Sequence, residues 1–302
     1  MKAIILINRG GGSAGDDAKD KVAAALKKVG ITGKVELLDG EGVVKRATAA
    51  ARAKAPLVIA GGGDGTISAA AGALAGSETR LGLLPLGTLN HLARDLGIPF
   101  DLDQAARIIA DGNTSEIDVA ELNGRTFVNN SAVGLYPLMV LDRESQQQKL
   151  GRSKKLAMLV ASLRTLSRFR HQRLSLTIND GEKAVIETPL LFVGNNDYRL
   201  SFPYAGQRET LDDGKLCVMV LRKNGRLGLF AAMARALVGR ARDNDMIRLD
   251  DVQRLKVTGH RKHLTVSLDG ETCVFACPLD YRIRPGALTV LAPRAGANAA
   301  RA

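Results

Sequence analysis

The sequence predicts an N-terminal three-layer α/β domain followed by a C-terminal antiparallel β-sandwich domain, and three observations predict it. Short apolar runs at residues 3–7, 33–38, 57–60 and 81–84 alternate with helix-patterned stretches at 16–29, 41–54 and 66–75. That order builds a parallel sheet with helices on both faces. Beyond about residue 115, strand-like segments follow one another, separated by turn signals. The charge divides in the same way. Residues 1–120 hold 14 Lys/Arg and 14 Asp/Glu, so residues 121–302 carry the entire formal charge of +12.

Taken in order, the N-terminal run at 3–7 is too short for a signal peptide and reads as a first strand entering a turn. A further helix is expected at 101–110. In the second half, strands are expected at 174–178, 184–193, 216–221, 255–258, 264–268 and 273–276. Asn179-Asp180-Gly181 and Asp212-Asp213-Gly214 mark turns between them. Two helical inserts are expected at 153–170 and 226–239. The boundaries that follow are 1–120 for the α/β domain, rejoined by a last strand near 287–292, 121–286 for the β-rich domain, and a disordered tail at 293–302. No internal repeat is visible, and no run approaches the roughly 18 apolar residues of a membrane span. The three cysteines lack metal-ligand spacing and read as reduced core thiols of a cytoplasmic protein.

Three turns carry the chemistry. Gly61-Gly62-Gly63-Asp64-Gly65-Thr66 follows the third strand. Its glycines allow close backbone approach to a ligand, and Thr66 opens a helix whose N-terminus favours phosphate. Taken alone it is also compatible with a purely structural turn. Asp64 sharpens the reading, because a carboxylate beside a polyphosphate needs a divalent cation between them, or must hydrogen-bond to metal-bound water. No Gly-Lys-Ser/Thr follows, so this is not the lysine-bearing P-loop. A second turn, Pro85 to Pro99, offers Gly87, Thr88 and Asn90. A third, Asn8-Arg9-Gly10-Gly11-Gly12-Ser13, follows the first strand. Three phosphate-type turns at the carboxyl ends of parallel strands describe a nucleotide pocket.

These turns belong to an ordered set: Ile117-Asp118, Phe127-Val128-Asn129-Asn130, Gly194-Asn195, Leu211-Asp212-Asp213-Gly214 and Asp269-Gly270-Glu271. The set resembles the diacylglycerol kinase catalytic family, which includes sphingosine, ceramide and bacterial lipid kinases. The resemblance implies ATP on the first domain and an active site in the cleft between the two domains. It implies nucleotide contacts at Asn8, Gly10, Gly11, Gly12, Ser13, Gly62, Gly63, Asp64, Gly65, Thr66, Ile67, Ser68, Thr88 and Asn90. One further contact falls around residues 36–40 without a secure alignment. Asp64 would serve a Mg²⁺–water network. A second, structural Mg²⁺ site is implied at Asp213 with the carbonyls of Thr210 and Lys215, a segment that also reads as a plain turn. Two positions depart from the family pattern: Arg9 stands where proline is usual, and His91 where an aspartate of the metal network is usual.

Phosphoryl transfer requires an aligned hydroxyl and a group to receive its proton. Glu271 is the implied general base and Asp269 its orienting partner, with the two roles open to exchange. Asp-Gly alone is also an ordinary hairpin signal. The basic second half must face an anion. Leu156, Leu159, Leu163 and Leu166 repeat at helical spacing among Lys154, Lys155, Arg164 and Arg168. Such a helix either lies on an anionic membrane surface or packs on the sheet with a solvated basic rim. Nucleic acid is set aside, since the basic segments lack interleaved aromatics and there is no Trp. His171, His260 and His263 read as structural. The resulting expectation is an ATP- and Mg²⁺-dependent lipid kinase, cytoplasmic and peripheral to the inner membrane face, with a homodimer left open. The alternatives are a soluble NAD-kinase-type enzyme and a non-catalytic lipid- or nucleotide-binding regulator.

Overall fold

The computed structural model describes residues 1–9, 17–134, 171–199, 207–208, 210–222, 228 and 245–294. The expected turn at Gly10–Ser13 and the two helical inserts lie outside the described residues, apart from Gly228 in the second, as does the tail beyond Arg294. The first part runs β1 (Ile4–Asn8), α1 (Ala18–Lys28), β2 (Val35–Leu38), α2 (Gly40–Arg52), β3 (Leu57–Gly62), α3 (Asp64–Leu74) and β4 (Arg80–Pro85). There follow α4 (His91–Asp95), α5 (Leu102–Asp111), β5 (Thr114–Leu122), β6 (Arg125–Phe127) and β7 (Asn130–Gly134). Asp39 accepts from the Gly42 N–H at 2.7 Å and Asp101 from the Gln104 N–H at 2.9 Å, which caps α2 and α5.

The remaining strands are β8 (Gln172–Ile178), β9 (Lys183–Thr188), β10 (Leu190–Asn195), β11 (Leu216–Leu221), β12 (Met246–Val252), β13 (Arg254–Gly259), β14 (His263–Leu268), β15 (Glu271–Ala276) and β16 (Leu279–Leu291). The expected single strand at 184–193 is two strands. Pro189 has no N–H to give a ladder, and there the chain leaves one sheet for the other.

The ten-stranded sheet has the order β2-β1-β3-β4-β16-β13-β8-β9, with β5 on β16 and β6 on β5. Strands β1 to β4 are parallel, and β16 joins β4 in parallel at Val290 opposite Leu81. The other half of β16 pairs antiparallel with β13. A single long strand therefore carries the sheet from one half of the molecule into the other. The six-stranded sheet, β12-β11-β10-β7-β14-β15, is antiparallel throughout. It packs on the β13–β8 side of the first sheet through a core that includes Phe127, Val193, Val218, Leu255, Val266 and Tyr281. A second core, built from Ile5, Ile7, Val22, Ile59, Leu83 and Ile109, joins the parallel strands to their helices.

Candidate active site

The parallel strands deliver two glycine turns to one place, and their backbones touch. A Cβ added to Gly87 would lie 2.4 Å from the Gly63 Cα, so only glycine fits there. One added to Gly62 would lie 2.4 Å from Thr66 Oγ1, and that hydroxyl accepts from Asn8 Nδ2 at 2.9 Å. The first strand is thereby tied to the start of α3.

The Asp64 carboxylate has definite partners. Its Oδ2 accepts from the Asn90 N–H at 3.0 Å and its Oδ1 from the His91 N–H at 2.6 Å. The carboxylate thus caps α4 from another element, at the site where His91 departs from the family pattern. The backbone of His91 makes the contact, so the side-chain identity does not break it. Asn90 adopts a left-handed conformation (φ 49°). Its amide closes on Gly87, accepting from the N–H at 3.1 Å and donating to the carbonyl at 2.8 Å. The Asn90 side chain therefore shapes the turn from within. Ile67 is 4% exposed, its side chain packed in the core, so only its backbone is available to a ligand. Thr88 is exposed on the same turn.

From the other half, the β14–β15 hairpin brings two carboxylates. Asp269 (φ 47°) and Gly270 (φ 85°) form its two-residue turn. Asp269 Oδ2 accepts from the Val128 N–H at 2.9 Å, and Oδ1 from Asn129 and Asn130 at 2.8 and 3.1 Å. Burial pushes this carboxyl up, against the opposing pull of those N–H donors. Three donors on one carboxylate make Asp269 an anchor of the hairpin. Glu271 is different. Its side chain is exposed, its Oε2 accepts from Arg125 Nη2 at 2.8 Å, and its Oε1 lies 3.8 Å from where a Gly65 Cβ would stand.

Asn8, Gly63, Gly65, Thr66, Ser68, Asp269 and Glu271 line one cleft of about 730 Å³. Gly40, the last residue of the expected 36–40 contact segment, also lines it, as does the adjacent Glu41. Thr210, Asp213 and Lys215 lie apart from it, on the loop before β11. That loop is held by Asp118, which is 1% exposed. Asp118 Oδ2 accepts from Gly214 N–H at 2.7 Å and Oδ1 from Gly286 N–H at 2.8 Å. The Lys215 carbonyl accepts from the Asn196 N–H at 3.1 Å, and Asp213 faces solvent.

Among the described residues no group of three or more His, Cys, Asp or Glu gathers as a metal cage. Asp64 keeps acceptor capacity beyond its two backbone donors, because an ionised carboxylate has about four lone-pair directions. Few carboxylates plus carbonyls suit a hydrated Mg²⁺ that arrives with phosphate ligands. The donor set therefore fits that ion.

Two functional-looking residues escaped the sequence reading. Arg125 directly follows Asn123-Gly124, a hairpin signal that would have placed it at a turn. Arg208 had no local signal. It joins Asp95 of α4 to the Val128 carbonyl, the latter at 2.5 Å.

Residues 2–122 match the family described as diacylglycerol kinase catalytic domain, and residues 140–292 match the YegS C-terminal NAD kinase beta sandwich-like domain. A diacylglycerol kinase of Mycobacterium tuberculosis is 31% identical over 287 residues, covering 90% of this chain and 89% of the relative. One from Bacillus subtilis (strain 168) is 31% identical over 219 residues, 71% of each chain. A solved diacylglycerol kinase structure from Bacillus anthracis str. Sterne has the same fold. It superposes with a TM-score of 0.69 at 20% identity, over 97% of both chains. No helix among the described residues is long and apolar enough to cross a membrane.

Proposed function

Because this chain belongs to the diacylglycerol kinase family of lipid kinases, we propose that its cleft transfers the γ-phosphate of ATP to a hydroxyl of diacylglycerol or a related lipid. The supporting observation is the Glu271 carboxylate beside Gly65, at the N-terminus of α3. A proton acceptor from the β-rich half thus faces the phosphate-favouring turn of the α/β half.

In this reading the glycine turns and the positive end of the α3 dipole hold the phosphates. Glu271 accepts the proton of the lipid hydroxyl as its oxygen attacks. Asp269 keeps Glu271 in register by locking the hairpin to residues 128–130. Asp64 serves Mg²⁺ at the phosphates, with Asp213, Thr210 and Lys215 as a separate structural site. The ion's contribution is to neutralise charge on the transferring phosphoryl group. The chain acts peripherally at an anionic inner membrane face, to which the +12 surplus is suited.

The test is incubation with labelled ATP, Mg²⁺ and mixed micelles of diacylglycerol, sphingoid base, ceramide or phospholipid, with NAD as a lipid-free arm. Label is expected in the organic phase. Glu271→Gln should lose at least about a hundredfold in turnover while still binding ATP. Label on NAD alone, or full activity of the Glu271→Gln protein, would overturn the reading.

A further inference from the structure

The cleft read here as a phosphoryl-transfer site has an electrostatic peculiarity. Its lining includes three carboxylates, Glu41, Asp269 and Glu271. Glu41 pairs with Lys45 at 2.7 Å and Asp269 is held by three backbone N–H groups, so Glu271 is left to Arg125, the one Lys or Arg among the described lining residues. A polyphosphate entering this space meets the Glu271 carboxylate close to the α3 N-terminus, where its own charge would concentrate. Two anions at such range repel unless a cation lies between them.

Arg125 has the geometry for that place. It opens β6 immediately after the Asn123-Gly124 turn, whose residues have φ of 47° and 84°. That turn is clamped to the end of β15 and the start of β16. Asn123 Nδ2 donates to the Ala276 and Pro278 carbonyls at 3.2 Å, and its Oδ1 accepts from the Asp280 N–H at 2.7 Å. From this fixed base Arg125 donates Nη2 to Glu271 Oε2 at 2.8 Å and Nη1 to Cys273 Sγ at 2.9 Å. The side chains of Arg125 and Glu271 remain 49% and 62% exposed. The pair is therefore wet enough to exchange partners, and a guanidinium has five donors to share.

We propose that Arg125 lets the Glu271 carboxylate and the terminal phosphate of a nucleoside triphosphate occupy the cleft together. It pairs with Glu271 in the free protein and extends to the γ-phosphate when the triphosphate binds. This rests on the reading of Glu271 as base. In the transfer, the lipid oxygen bonds to the γ-phosphorus and its proton passes to Glu271. The bond from that phosphorus to the bridging oxygen breaks, leaving the electron pair on the β-phosphate of ADP. Arg125 exchanges no proton; it offsets charge on the phosphoryl oxygens and keeps the carboxylate facing the hydroxyl.

The test compares Arg125→Gln, Arg125→Lys and Glu271→Gln with the parent. Each is assayed for binding of a non-hydrolysable ATP analogue and of ADP, for kcat and KM on the micellar lipid, and for melting temperature. A charged hydrogen bond to the γ-phosphate predicts that Arg125→Gln weakens the ATP analogue about tenfold or more. ADP binding should change less than about twofold, and kcat should fall by about the arginine's transition-state share of 10³. Arg125→Lys should restore analogue affinity more fully than kcat, because a point charge replaces a fork.

Equal losses for ATP analogue and ADP, or parental values for both with unchanged kcat, overturn the proposal. If Glu271→Gln is inactive while both Arg125 variants match the parent, the arginine proposal alone fails. If Glu271→Gln stays active, the base assignment fails first.

Discussion

Arg208 donates from Nε to Asp95 Oδ2 at 2.7 Å with both side chains almost wholly out of water, at 0% and 7% exposure. The guanidinium also donates to the Val128 carbonyl and, at 3.2 Å, to Asn129 Oδ1, and it lies 5.6 Å from the centre of the Tyr198 ring. A helix next to the second glycine turn is thus joined to the segment that anchors Asp269. Arg208→Met leaves the Asp95 carboxylate buried without its cation, so a loss of about 3–5 kcal/mol is expected. The Arg208→Met/Asp95→Leu double variant should recover most of it. Urea unfolding of the three proteins measures this, and an unchanged midpoint for the single variant would refute it.

The contact between Gly63 and Gly87 leaves no room for a methyl group. Gly87→Ala should force the two turns apart and cost about 1–3 kcal/mol, the usual range for overpacking. On the proposed reading, in which both turns hold the phosphates, phosphoryl transfer should drop with it. Thermal melts and the micelle assay check this. Gly124→Ala is the comparison: its added Cβ meets nothing within 4 Å, so only the strain of φ 84° applies.

Asp64→Asn turns one acceptor of the α4 cap into an amide donor facing a backbone N–H. An expected loss of about 1–3 kcal/mol follows from the unmet donor. If Asp64 also serves Mg²⁺, the Mg²⁺ dependence of ATP binding should weaken in the same variant. Isothermal calorimetry with and without Mg²⁺ separates the two effects; a melt identical to the parent's would remove the capping role.

Asp280 on β16 is held below its ordinary value of 3.8, first by the Arg254 hydrogen bond and then by nearby positive charge, with burial opposing. A depressed folded-state pKa contributes stability that is fully present above the unfolded value. That contribution is lost as pH falls through the folded one. Asp180, lowered first by its Lys256 hydrogen bond and then by Arg254, adds in the same direction. Stability should therefore fall with acidification below about pH 4. Asp280→Asn should make that slope shallower, as read from denaturant midpoints across the range. An unchanged slope would show that the pair is too solvated to count.

The parallel half was legible because its signals are local. Each apolar run at 3–7, 57–60 and 81–84 lies within or beside a strand, since strands buried on both faces need no alternation. β5 and β12 were missed because charge interrupts them: Glu116, Asp118 and Glu121 in one, Asp250 and Asp251 in the other. Their partners lie far away in sequence, as Asp118 shows by bonding to Gly214 and Gly286. That Gly63, Gly65 and Glu271 belong together was legible, where residue type and order carry the signal, and they line one cleft. Arg125 was not legible, because its meaning depends on the hairpin across from it, and neither was the capping of α4 by Asp64, whose partners are backbone atoms. Backbone donors leave no trace in residue identity.

β16 has a consequence for how the molecule is made. Residue 290 lies beside residue 81 in the sheet, yet β1 to β4 emerge first during synthesis. Until residue 290 leaves the ribosome, β4 keeps an unfilled parallel edge, the kind of template on which nascent chains mispair. Closing a loop of that span is a slow, late event. The sheet that carries both glycine turns is therefore completed only when residue 290 is made, and termination anywhere before β16 would leave a sticky fragment with an open β4 edge.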